Sequence, residues 1–214
     1  MKGLLVKDLR LVFSMKQQLL LFLGVCALIA FTSDGSFVIG YTATLLGILS
    51  LSTLAFDEYD NGFPFLFSLP VDAKTYVNGK YLFCILLDLA GLILGTAFFL
   101  LACLARRKTD VFLADIVYVP LYFPATLLLL LSVLPIQMIF GREKSRIITF
   151  VLYGIVFGVS AAVVKTAGKT GVFRNLPEWL SDPFVLAGGA CALALIVCGA
   201  LYLVCLKAMR NREF

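Results

Sequence analysis

The feature that most constrains this chain is a succession of long apolar runs separated by short polar connections. A bilayer's hydrocarbon core is about 30 Å thick and takes roughly 20 helical residues to cross, so an apolar run of about 18 or more reads as a span. Six runs appear, near 19–33, 37–56, 82–103, 113–139, 147–164 and 184–206, in a chain of 214 residues. The first is short, and Gln17 and Gln18 extend it at its headgroup end. Only 14% of the residues are charged, where a soluble domain carries about a quarter. The runs are continuous, whereas a membrane barrel alternates over segments of about ten residues. The expected fold is therefore all-α: one polytopic membrane domain over 1–214 with six transmembrane helices and no separate soluble unit.

Charge sets the expected orientation, because basic residues are retained on the cytoplasmic side. Lys2, Lys7, Arg10 and Lys16 precede the first run. With six spans and the amino terminus inside, the inner segments 1–18, 57–80, 140–146 and 207–214 hold twelve of the eighteen Lys and Arg residues. Both termini are then cytoplasmic. Arg106, Arg107 and Lys108 fall on the outer side, as headgroup anchors or as the sign of a miscounted span. No small-residue cleavage pattern follows the first run near Phe31 and Thr32, so that span is expected to stay in the protein.

Residues 2–14 read as an amphipathic elbow helix. Gly3, Lys7, Arg10 and Ser14 share a polar stripe, and Leu5, Leu9 and Val12 share an apolar one. Such a helix lies in the interface with its basic side toward anionic headgroups. The connection after the second run carries Asp57, Glu58 and Asp60, then the aromatic cluster Phe63-Pro64-Phe65-Leu66-Phe67. Apolar side chains outside hydrocarbon need a cover, which is either a partner's cleft or the surface of the bundle itself. Asp72 is positioned to cap a helix running through Lys74, Tyr76 and Lys80 into the third span.

Within the spans, Asp88 is the ionisable residue at depth and is a functional candidate on that ground, as a substrate-path group or as a satisfied interhelical contact. Asp115 reaches toward headgroups. Gly91 with Gly95, and Gly154 with Gly158, are GxxxG pairs that allow close helix approach, within one subunit or between two. Pro120, Pro124 and Pro135 predict bends or a break in the fourth span. Pro177, Glu178 and Trp179 read as a short interfacial helix in the outer connection 165–183.

The missing chemistry narrows the function. There is no histidine, which removes His-based metal sites and Ser-His or Cys-His catalysis. The six cysteines form no CxxC pair and read as apolar packing. No GxxxxGK[ST] phosphate loop is present. The net charge of +5 fits headgroup anchoring, with no basic groove for nucleic acid. A non-catalytic transport or structural role follows. An ion-coupled transporter, or an immunity or lipid-handling protein, remains the alternative that needs no ATPase.

Several segments resemble the small six-span ABC-2 type permeases, close to the membrane subunits of phenol-soluble modulin exporters. They are Leu4–Arg10, Asp57-Glu58 through Gly62-Phe63, Phe67–Val71, Tyr76–Tyr81, Leu134–Ile136, Phe140–Arg146 and the terminal Arg212-Glu213-Phe214. The resemblance implies a permease homodimer or heterodimer in a bacterial plasma membrane, bound to two separate ATPase chains that hold ATP and Mg. It implies that residues 2–14, with Lys7 and Arg10, form the interfacial elbow. Glu58, Phe63, Phe65, Phe67 and Asp72 would belong to a coupling segment entering an ATPase cleft. Arg142, Glu143 and Lys144, within Gly141–Arg146, would form a second cytoplasmic contact. The implied cargo is an amphipathic cytolytic or antimicrobial peptide.

Overall fold

A computed structural model describes residues 2–32, 35–58, 72–107, 109–170 and 183–210. Among these residues seven α-helices follow one another: α1 Lys2–Ser14, α2 Lys16–Thr32, α3 Phe37–Glu58, α4 Ala73–Ala105, α5 Thr109–Asp115, α6 Val119–Thr170 and α7 Pro183–Arg210. A 3-10 turn, Ile116–Tyr118, joins α5 to α6. Among the described residues, four helical stretches are long and apolar enough to cross a membrane: Phe37–Glu58, Ala73–Ala105, Asp110–Gly141 and Cys191–Met209. The pair α1 and α2 makes a fifth if taken as one bent span. The expected fifth run, 147–164, is helical throughout.

The bend between α1 and α2 is 72° and falls at Met15. It gives the elbow expected over 2–14, but the helix is turned differently from the simple two-stripe reading. Val12 and Asp8 are buried against the bundle, while Val6, Leu9 and Phe13 form the exposed apolar stripe. The expected Leu5–Leu9–Val12 face is thus divided: Val12 and Leu5 pack on Leu46, Leu49 and Phe83, and Leu9 faces outward. A helix wedged between bundle and bilayer needs two apolar faces, which a single moment does not describe.

α3 is the central element, touching α1, α2, α4 and α6, with its largest interface on α4. Two glycines make that interface possible. A Cβ at Gly91 would stand 2.6 Å from Ala43 Cα, and one at Gly95 would stand 2.9 Å from Ile39 Cα. This GxxxG pair therefore joins two helices of the same chain. A Cβ on Gly154 would meet nothing within 4 Å. The side chains around position 158 lie outside the described residues.

α4 has 33 residues, about 50 Å at 1.5 Å per residue, well beyond the hydrocarbon thickness. Its first turns carry Tyr76, Val77 and Tyr81 into a core shared with Leu54 of α3, Leu130 and Met138 of α6, and Cys205 of α7. Asp72 occupies the N-cap position with extended backbone, yet its side chain makes no capping hydrogen bond. The residue is exposed, so water solvates the carboxylate instead.

The break expected from the prolines of the fourth span lies at Ile116–Tyr118. Pro120 has no N–H to offer the carbonyl four residues before it, and the chain tightens into a 3-10 turn there. Pro124 and Pro135 are accommodated inside α6. The six-residue turn expected over Gly141–Arg146 is instead a break at one residue, Gly141, with φ 76° and ψ 172°. That region is essentially restricted to glycine. Helix resumes directly afterwards and continues to Thr170, six residues beyond the expected end of the fifth run.

Large apolar side chains are exposed on the outside of the bundle, including Leu20, Leu28, Ile93, Leu101, Leu195 and Ile196. Water does not tolerate such a surface and hydrocarbon does. This is a multi-pass membrane protein.

Candidate functional site

At the end of the bundle that holds α1, four charged side chains meet, three of them buried and Lys7 part-exposed. Lys80 of α4 is 3% exposed, Asp8 of α1 is 1% exposed and Asp57 of α3 is 8% exposed. Lys80 Nζ lies 2.9 Å from Asp8 Oδ1 and 2.7 Å from Asp57 Oδ2. Lys7 Nζ donates to Asp57 Oδ1 at 2.5 Å and stands 3.6 Å from Asp8 Oδ1. The Tyr76 hydroxyl donates to Asp57 Oδ2 at 3.0 Å, and Lys80 also donates to Thr53 Oγ1 at 3.1 Å.

Two cations and two anions thus close on themselves, and each buried charge has partners. A buried charge without a partner is costly, and charge-assisted hydrogen bonds to the remaining lone pairs are what make such a cluster tolerable. Helix geometry delivers the members. Asp8 and Val12 are four residues apart on one face of α1, Thr53 and Asp57 likewise on α3, and Tyr76 and Lys80 likewise on α4. The cluster ties three helices together at one point.

Its position relative to the 59–71 connection matters most. Asp57 ends the helix that leads into that connection, and Tyr76 and Lys80 open the helix that leads out of it. Their bonds to Asp57 close the neck of the connection, and Lys7 and Asp8 attach that neck to the elbow. Phe63, Phe65 and Phe67 lie in the connection, outside the described residues. Glu58 is adjacent to a second structural element: a Cβ on Gly141 would fall on its carboxylate. The end of α3 and the break in α6 are therefore in contact. Beyond the break, Glu143 and Lys144 are exposed, while the side chain of Arg142 lies outside the described residues.

Lys7 does not simply face headgroups, as the polar-stripe reading had it; it turns inward to Asp57. Arg10 remains exposed. Asp88 is fully buried, accepts a hydrogen bond from Thr126 Oγ1 at 3.2 Å, and has no partner for Oδ1 among the described residues. At the opposite end, the Arg106 guanidinium donates to the carbonyls of Ala30 and Phe31 and so satisfies the last turn of α2. Asp115 accepts the Ser36 N–H at 3.3 Å at the start of α3. Both residues clamp neighbouring elements of the bundle.

Sequence reading missed Asp8, Asp57, Tyr76 and Lys80 as a group because each has a sufficient local explanation as a helix end or an interfacial charge. A usable signal existed. The cluster draws one contribution each from Leu4–Arg10, Asp57-Glu58 and Tyr76–Tyr81, three of the segments that carry the family resemblance. Among the described residues, no group of three or more His, Cys, Asp or Glu side chains is placed to hold a metal ion.

An apolar helical bundle with a bent entry helix, ion-paired to the neck of a connection at one end, is a multi-pass membrane protein, and the family match makes it one of permease type. The chain belongs to the family described as ABC-2 family transporter protein, whose model matches residues 3–210. No curated protein and no solved structure matches it.

Proposed function

We propose that this chain is the permease subunit of an ATP-driven exporter, with six spans, both termini cytoplasmic, and residence in a bacterial plasma membrane. It works as a dimer with a second permease subunit, on two ATPase chains that supply all the ATP and Mg chemistry. The permease itself performs no covalent step. The segment of about residues 58–72, with Phe63, Phe65 and Phe67 between Glu58 and Asp72, enters a cleft of the ATPase. Gly141–Arg146, with Glu143 and Lys144 outward, makes a second contact. The cargo is an amphipathic peptide, in keeping with the resemblance to peptide exporters.

The observation that carries this reading is the bonding of Asp57 by Tyr76 and Lys80 across the neck of the connection. A segment that receives force from a motor must be anchored to the helices it is to move. Here the anchor also takes in the elbow, through Asp8 and Lys7. Family membership supports the motor; the cluster supports the point of attachment.

The test is co-purification with the partner ATPase, followed by its hydrolysis rate in the complex. Replacing Phe65 and Phe67 together with Ser is expected to abolish assembly or to uncouple hydrolysis from transport. Full assembly and unchanged coupling in that variant would remove the docking claim.

A further inference from the structure

A groove of about 450 Å³ runs between α3 and the two arms of α6, within the range of small-molecule sites, about 300–1,000 Å³. Its α6 wall is built from Arg146, Thr149, Phe150 and Tyr153, the i, i+3, i+4, i+7 positions of one helical face. Ile48 and Leu51 of α3 lie opposite. Arg146 is exposed and has no ion pair among the described residues.

Thr149 is the second pointer. A helical threonine in an apolar setting normally returns its hydroxyl to its own helix. Thr42, Thr44, Thr53, Thr96 and Thr126 all do so, onto carbonyls three or four residues earlier. Thr149 Oγ1 is buried and has no hydrogen-bond partner among the described residues. A buried hydroxyl left unpaired loses its hydration without compensation, so an oxygen-bearing occupant is favoured there. At the deep end, the Tyr153 hydroxyl is already committed to Leu129 O at 2.7 Å. Ser52 and Gln137, which also line the groove, are bonded to the carbonyls of Ile48 and Leu51. The unmet polar demand therefore lies at the Arg146 end, five residues from the helix break.

We infer that this groove holds an anionic phospholipid, its phosphate on Arg146, an ester or phosphate oxygen on Thr149, and one acyl chain between Ile48, Leu51 and Phe150. Charge complementarity selects this occupant. The groove opens to the bilayer, Arg146 stands at its headgroup end, and a lipid brings an anion and a chain at the required spacing. The inference needs only the membrane reading and is independent of the motor and the cargo.

The test uses the full-length chain in mild detergent, titrated with phosphatidylglycerol or phosphatidylcholine of identical acyl chains and read by native mass spectrometry. One phosphatidylglycerol is expected to bind about tenfold more tightly than phosphatidylcholine, whose phosphate is the same but whose choline cation opposes the Arg146 charge. Arg146→Gln should erase that preference and Arg146→Lys should keep most of it. Thr149→Val should weaken both lipids about equally, because the hydroxyl contacts an oxygen common to both. Two kinds of result would overturn the proposal. One is equal retention of the two lipids by the unaltered chain, or an unchanged preference in Arg146→Gln. The other is a dimer that excludes lipid until it dissociates, which would make a second copy the occupant. Arg146 is exposed, so its variants leave the fold intact, and thermal unfolding checks this directly.

Discussion

Lys80 has two carboxylates, a hydroxyl and almost no solvent. Truncating it leaves Asp8 and Asp57 buried with only Lys7 between them. Lys80→Met is therefore expected to destabilise the protein by about 3–5 kcal/mol, the usual cost of breaking a buried pair from one side. Chemical unfolding in micelles measures it. Asp8→Asn and Asp57→Asn added to Lys80→Met should recover much of that loss, because the stranded charges are removed with their partner. Additive losses across the three changes would contradict a shared network. None of this was legible one residue at a time: Asp57 reads as a helix stop, Lys80 as a helix start, and Lys7 as a headgroup contact. Each local explanation is chemically sound, and only the packing of three helices reveals that the charges answer one another.

At the level of elements, the sequence was more informative. The elbow over 2–14 follows from its amphipathic stripes and the central helix from Phe37 from an apolar run bounded by polar stops, and both helices lie there. The helix expected from Asp72 through Lys74, Tyr76 and Lys80 into the third span is there as well, beginning at Ala73 with Tyr76, Val77 and Tyr81 buried against neighbouring helices. The error comes where helix continues through polar residues. Arg142-Glu143-Lys144 reads as a turn by polarity, yet these are good helix formers, and a single glycine performs the reversal. Gly141→Ala is expected to cost at least about 1–3 kcal/mol from the backbone alone, with a further steric loss on Glu58. Glu58→Ala should relieve the steric part and leave the backbone part, a split that unfolding of the single and double variants resolves. An Ala variant as stable as the parent would mean that the break does not need glycine.

Across the whole molecule, polarity is concentrated at the two ends and hydrocarbon-compatible surface lies between them. One end holds the ion cluster, the neck of the 59–71 connection and the Gly141 break. The other holds the Arg106 and Asp115 clamps. The membrane class was legible from the apolar runs, whereas the site was not, because ion pairing between distant segments leaves no local pattern. The central claim is that the cluster end faces an ATPase on the cytoplasmic side. The most direct measurement is labelling of single cysteines introduced at Glu58, Lys144 and Arg107, with a membrane-impermeant maleimide applied to intact cells and to inverted vesicles. The unaltered chain sets the background from its own six cysteines. The account predicts labelling of positions 58 and 144 only in inverted vesicles, and of position 107 only in intact cells. Labelling of 58 and 144 from outside the cell would place the cluster beyond the reach of any cytoplasmic motor and contradict it.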